Sequence, residues 1–267
     1  MKKLLLISAL LIFACSSDDS SNDNNNNDDN NNDIDNNNNN SEFLNCDGNP
    51  FPTIVYGTQE WIVENACYIT YRDGTPIPQE TDPNGSYVQR GAWHYHLNDP
   101  TKPILYNWYA VMGIHDAASL TDPSLRKEFA PDGWHVPSDS EWTTLEEHLI
   151  ANGYNYDGTT TGNKIAKAMA STTGWYSSTN TGAPGNDQSL NNSSGFNAFP
   201  EGESNWAPNP LNNFTPNVTF FWTSTNYNLP PGYDYYAYNR YMDAYDSKFF
   251  RNESPKQVFL SVRFVKD

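Results

Sequence analysis

His94 and His96 stand one residue apart, so on an extended strand both imidazoles point to one face, a spacing that some metal sites use. No third ligand can be identified beside them. They are therefore read as exposed loop histidines, and no metal is assigned. His135, between Trp134 and Val136, is read as a structural histidine rather than a base or a ligand. Calcium needs clustered oxygens, and Asn155, Asp157 and Asn163, or Asp243 and Asp246, would be its donors; no cofactor is assigned. A serine nucleophile would be marked by G-x-S-x-G, which the chain lacks. Glycoside hydrolysis needs two positioned carboxylates, and the acids are too many for any pair to stand out. No catalytic residue is assigned, and the chain is expected not to be an enzyme.

The densest group of residues suited to binding is aromatic. Tyr233, Tyr235, Tyr236, Tyr238, Tyr241 and Tyr245 crowd around Arg240 and Asp243. Exposed tyrosines stack on sugar faces and anchor protein interfaces. The alternative is a run of alternate tyrosines in a sheet core. Tyr233, Tyr235, Tyr238, Arg240 and Asp243 are the candidate ligand-binding set. Trp61, Trp108, Trp134, Trp142 and Trp222 are assigned to the core.

The first residues bear on compartment. Lys2 and Lys3 precede an apolar run, Leu4 to Phe13, much shorter than the roughly 20 residues that span a bilayer. Ile12-Phe13-Ala14-Cys15 resembles a bacterial lipobox, in which the cysteine receives lipid and becomes the mature N-terminus. The other reading is an ordinary signal peptide. Ser17-Asp18-Asp19 resembles the acidic export signal of Bacteroidetes surface lipoproteins. The expectation is a signal peptide over 1–14, lipidation at Cys15, and a chain held in the outer membrane by lipid and exposed at the cell surface. Residues 15–42 are almost wholly Asn, Asp and Ser and cannot bury enough apolar surface to offset chain entropy, so they are read as a disordered tether. Residues 43–267 form the folded part.

The formal charge is −17. Removing Lys2 and Lys3 from 15 basic residues leaves 13, and removing the eight acids of 15–42 from 32 leaves 24, a net of −11 for the folded part. That balance argues against nucleic acid as a partner. Cys46 and Cys67 remain after Cys15. In an exported chain they most simply pair as a disulfide; two buried free thiols are the competing arrangement.

The elements that position these groups are short. The strongest signal is Phe129 to Leu149. A turn at Pro131-Asp132-Gly133 leads through Trp134-His135-Val136 to Pro137. Ser138 is then an N-cap, with Glu141 completing a capping box. Trp142, Leu145 and Leu149 follow at helical spacing. Trp134, Ser138, Glu141 and Trp142 are assigned structural roles, with Asn152-Gly153 as the helix end. Ile54 to Val63 reads as two strands around Gly57, Leu105 to Val111 as a buried strand or short helix, and Gly162 to Ala170 as a short helix with Lys164 and Lys167 outward. Phe220 to Thr225 and Tyr235 to Met242 read as strands, and 248–264 as a closing hairpin with its turn at Asn252 to Pro255. Many short strands, two short helices and long loops predict an α+β fold.

Seven ordered blocks carry a family likeness: Gln59 to Asn65, Asp73 to Ile77, Leu105 to Val111, Ala130 to Trp142, Ser194 to Ala198, Phe221 to Thr225 and Ser261 to Asp267. They resemble the Fibrobacter succinogenes major paralogous domain over about residues 50–267. The resemblance implies an exported, often lipid-anchored bacterial surface protein with no agreed activity. The same blocks are similar to the C-type-lectin-like and formylglycine-generating-enzyme-like folds, which implies a twisted antiparallel sheet with two short helices and long loops. Formylglycine-generating enzymes use a late cysteine pair, and this chain has no Cys after Cys67. The calcium-binding motifs of sugar-binding C-type lectins are also absent. The expected function is therefore a surface-anchored, non-catalytic binding or adhesion domain for extracellular polysaccharide or a surface protein, met by the loops of 171–219 and 226–245. The alternatives are an exported carboxylate-dependent hydrolase and a structural component of an envelope assembly.

Overall fold

Gly57, at φ 65°, turns the chain between its first two strands, a left-handed conformation that glycine adopts without a Cβ clash. The computed structural model describes residues 44–81, 89–204, 217–227 and 234–267; Glu42–Asp267 fold as one unit. In chain order the elements are β1 (Thr53–Tyr56), β2 (Gln59–Ile62), β3 (Trp93–Tyr95), β4 (Ile104–Tyr106), α1 (Trp108–Val111), α2 (Ala117–Thr121), β5 (Trp134–His135), α3 (Asp139–Ala151), α4 (Ala166–Met169), β6 (Val218–Asn226), β7 (Tyr236–Asp243), β8 (Phe250–Pro255) and β9 (Val265–Lys266). Among the described residues the architecture is mixed, with few helices and three small antiparallel sheets. Their strand orders are β1-β2-β9-β5, β3-β4 and β6-β7-β8.

The chain's last strand closes the first sheet. β9 lies between β2 and β5, pairing Val265 with both Trp61 and His135. α3 begins where the sequence places it. Ser138 Oγ accepts from the Glu141 amide at 3.3 Å, and Glu141 Oε2 accepts from the Ser138 amide at 2.7 Å. Trp142, Leu145 and Leu149 are its buried residues, and Trp142 meets Trp61, Phe196, Phe221 and Phe249 with ring centroids 4.6 to 5.9 Å apart. Trp61, Trp108 and Trp222 are also buried, whereas Trp134 is half-buried.

Three expectations are corrected. β8 pairs with β7, not with 258–264. That last segment forms single bridges to Tyr106, Ser204 and Phe221 instead, so its alternating apolar residues sit between sheets and not in a hairpin. Lys167 points inward: its Nζ lies among the Asn186 and Asp187 carbonyls and Asn191 Oδ1, so carbonyl oxygens replace the water that a buried ammonium gives up.

His94 and His96 are not exposed; each is 1 % accessible. His94 Nδ1 donates to the Glu80 carbonyl at 2.7 Å. Burial holds the His94 pKa below its ordinary value and brings that of His96 down to about 4. His96 therefore stays neutral in the folded state while an unfolded chain protonates near the usual 6.5. Between those values the unfolded state binds more protons, so stability falls as pH falls from about 6.5 to 4, by on the order of 3 kcal/mol from His96. Urea unfolding at steps across that range should show the slope in the native chain and a flatter one in His96→Gln.

Cys46 and Cys67 are joined in a disulfide across 21 positions, with Cα atoms 5.9 Å apart. Reducing it releases a loop whose closure contributes about 3 kcal/mol. Thermal unfolding with and without reductant should show that loss; an unchanged Tm would mean the loop stays ordered without the bond.

Candidate functional site

A cleft of about 610 Å³ opens beside α1, walled by the 112–126 segment and floored by the ends of β6, β7 and β8. α1 is a single turn, too short to hold itself, and Asn107 fixes it. The Asn107 side chain accepts from the Ala110 and Ala92 amides at 3.0 Å and donates to the Arg90 carbonyl at 2.9 Å. Trp108 Nε1 donates to the Thr223 carbonyl at 3.0 Å, which ties the helix to β6.

Lys256 is the junction of the site. Its amide donates to the Tyr235 carbonyl at 2.8 Å, and its own carbonyl accepts from the Trp108 amide at 2.9 Å. Its side chain is 7 % exposed. Nζ lies 4.6 Å from the Trp108 ring centroid and donates to the Asp234 carbonyl and Oδ1 at 2.8 and 2.9 Å. Hydrogen bonds from Lys256 and Asn226 hold the exposed Asp234 carboxyl below its ordinary range. Burial, and then the Asp234 charge, push the Tyr109 hydroxyl above its own.

The opposite wall is set by backbone. The capping box of Asp116 and Ser119 starts α2. Gly113, at φ 66°, meets Lys127 so closely that a Cβ there would lie 1.8 Å from the Lys127 carbonyl oxygen. Arg126 Nε donates to the Ser119 carbonyl at 3.2 Å, which leaves the guanidinium fork on the cleft side.

The residues singled out in the sequence do not form one site. Tyr235 is 40 % exposed and lines the cleft. Tyr238 lies under the Arg251 guanidinium, 3.8 Å from ring centroid to Cζ. Asp243 accepts from the Tyr245 and Asp246 amides and shapes a turn. Arg240 is a correction: 2 % exposed, it is ion-paired with Asp139 at 2.8 Å and Glu146 at 3.2 Å, so it clamps α3 to β7 and meets no external ligand. Tyr233 and Cys15 lie outside the described residues. The cleft residues that sequence reasoning missed are Trp108, Tyr109, Arg126, Asp234 and Lys256. The one signal for them was the apolar Leu105 to Val111 block, which reads as core.

Elsewhere, the candidate calcium donors are occupied by local bonds. Asn155 Oδ1 accepts from the Lys164 amide at 2.9 Å, and Asp157 pairs with the Lys164 ammonium. Among the described residues no group of three or more His, Cys, Asp or Glu side chains is placed to hold a metal ion. His135 bridges two acids, with Nε2 2.7 Å from Glu141 and Nδ1 2.7 Å from Asp267. Burial opposes its charge, but the bonds to Asp267 and Glu141 outweigh it and raise the pKa. A smaller cleft of about 280 Å³ beside the disulfide holds Glu64, Asn65, Glu201 and Arg263. No helix among the described residues is long and apolar enough to cross a membrane.

The family model described as the Fibrobacter succinogenes major domain matches residues 54–266. No curated protein and no solved structure matches the chain.

Proposed function

The chain belongs to the Fibrobacter succinogenes major domain family, and from that premise we propose that it is a lipid-anchored outer-membrane protein whose folded part binds extracellular polysaccharide in the cleft beside α1. The observation that carries this reading is the cleft's make-up. An accessible tyrosine ring, Tyr235, stands beside a rigid set of hydrogen-bonding and charged groups on Arg126, Asp234 and Lys256. A ring face and convergent polar groups are what a sugar, apolar on its faces and hydroxylated at its edges, requires. The C-type-lectin-like fold belongs to the proposal too, supported by β9 closing the first sheet and by the capped α3 packed behind it.

The anchor rests on the lipobox at Cys15. Mass spectrometry of the mature chain should find lipid on Cys15 and none in Cys15→Ser, and protease added to whole cells should shave the domain from the surface. The ligand is sought with a glycan array and a pull-down of envelope proteins. Tyr235→Ala should weaken glycan binding by about three- to tenfold, the scale of one aromatic contact, with the thermal unfolding unchanged. A blank array with folded protein, or binding unaffected by Tyr235→Ala, would remove the cleft from consideration.

One observation favours the alternative of carboxylate-dependent hydrolysis. Glu64 and Glu201 line the smaller cleft together, and burial raises the pKa of Glu201, whereas Glu64 Oε2 accepts from Asn45 at 2.8 Å. Two carboxyls in unlike environments are what an acid and a base need. Turnover on a glycan panel, lost in a folded Glu201→Gln chain, would favour it.

A further inference from the structure

Resting on the saccharide reading of the cleft, we propose that the cleft selects acidic sugars and that Arg126 reads the uronate carboxylate. The lining carries two cations and one anion, Arg126, Lys256 and Asp234. Lys256 is already committed, since its ammonium is bonded twice to Asp234 and sits against the Trp108 ring. Its role is to hold Asp234 and the β8 end in place, and its charge is balanced within the protein.

Arg126 is different. Only Nε is used, on the Ser119 carbonyl. Neither terminal nitrogen has a hydrogen-bond partner among the described residues, and none of their carboxylates lies within ion-pair distance. The Nε bond fixes the guanidinium at one point, and the backbone that carries Arg126 is itself held. It follows a tight turn in which Asp122 Oδ1 accepts from the Ser124 amide at 2.9 Å, and the Arg126 amide bonds to the Pro123 carbonyl at 3.2 Å. A positioned guanidinium with two free parallel N–H groups matches a planar carboxylate in bidentate geometry. Tyr235 supplies the ring face for the same sugar, and Gln89 and Ser224 supply neutral groups for its hydroxyls.

The charge of the whole chain narrows the ligand class. The formal net charge of −17 repels a dense polyanion at long range. The favoured ligand is therefore a heteropolysaccharide with isolated uronates among neutral sugars, recognised by one local ion pair.

The test is isothermal titration of the full chain with uronate-bearing oligosaccharides, each paired with its carboxyl-reduced neutral derivative. The acid form of a binding pair should bind about tenfold or more tightly than the neutral form, the value of one charge-assisted contact. Arg126→Gln, checked for unchanged thermal unfolding, should abolish that preference, so that the acid form binds no more tightly than its neutral partner. Arg126→Lys should keep part of it. Equal binding of acid and neutral forms, or a preference that survives Arg126→Gln, would overturn the uronate assignment and leave the saccharide site standing. Binding by no member of any pair would overturn both.

Discussion

Replacing Arg263 by methionine should cost about 3–5 kcal/mol in urea unfolding, because it strips the charge from one end of a buried polar network and leaves the rest in place. Arg263 is 1 % exposed. Its Nε donates to Asn65 Oδ1, and its terminal nitrogens donate to the Phe196 and Asn197 carbonyls at 3.2 and 3.3 Å. Asn65 in turn donates to Glu201, which also accepts from Ser261 Oγ at 2.9 Å. Burial brings the Arg263 pKa down to about 10 and pushes Glu201 above its ordinary range, and each is pulled back by the other's charge. Removing the guanidinium leaves Asn65 Oδ1 and the Phe196 and Asn197 carbonyls without that donor, and takes away the charge that offsets the Glu201 carboxylate. The planar fork spans partners on either side and lies 4.7 Å from the Phe196 ring centroid, so Arg263→Lys should recover only part of the loss. Combining Arg263→Met with Glu201→Gln should cost less than the sum of the single changes. A loss below about 1 kcal/mol for Arg263→Met would mean water or a rearranged side chain satisfies the network.

Trp142→Ala should lower stability by a similar amount, about 3–5 kcal/mol, for a different reason. The indole is fully buried and touches four aromatic rings from β2, β6 and the two loops that carry Phe196 and Phe249. Its removal opens a cavity that rigid neighbours cannot close. Trp142→Phe sharpens the prediction. Trp142 Nε1 has no hydrogen-bond partner among the described residues, so phenylalanine loses area but no bond and should cost about 1–2 kcal/mol. Trp222 has the opposite balance, because its Nε1 donates to the Tyr106 carbonyl at 2.8 Å. Trp222→Phe removes one of that carbonyl's two donors, the other being the Leu260 amide at 2.9 Å, and so should cost more than Trp142→Phe, which breaks no bond. A Trp142→Ala chain that folded normally and lost only ligand would overturn the structural assignment of this corner.

The corner from Pro131 to Leu149 was legible because every signal in it is local. Ser138 and Glu141 cap each other three residues apart, and Trp142, Leu145 and Leu149 share a face through helical spacing. Gly57 between two alternating runs was legible for the same reason: a turn and its strands lie within ten residues. The same locality misled at Lys167. A lysine beside buried alanines reads as outward, but the carbonyls that hold it come from residues 186 and 187, and nothing near Lys167 announces them. The segment 258–264 alternates like a hairpin strand, yet its partners are Tyr106, Ser204 and Phe221. Period two shows that a strand has two unlike faces and says nothing about which element lies beside it.

The binding set divides in the same way. Composition marked the tyrosine-rich run around β7, and Tyr235 does line the cleft. Neighbours on one strand nonetheless point to opposite sides of a sheet, so Arg240 went under α3. The other cleft groups were scattered from Trp108 to Lys256 and met only when β6, β7 and β8 closed against α1. By itself, then, the sequence determined the family, the short capped and turned elements, and the acidic character of the chain, because each depends on residues within a turn or on sums over the whole. Tertiary structure alone decided which charges are buried, which strands pair, and where a ligand could sit. Those depend on contacts between residues tens to more than a hundred positions apart, and such contacts leave no periodic trace in the chain.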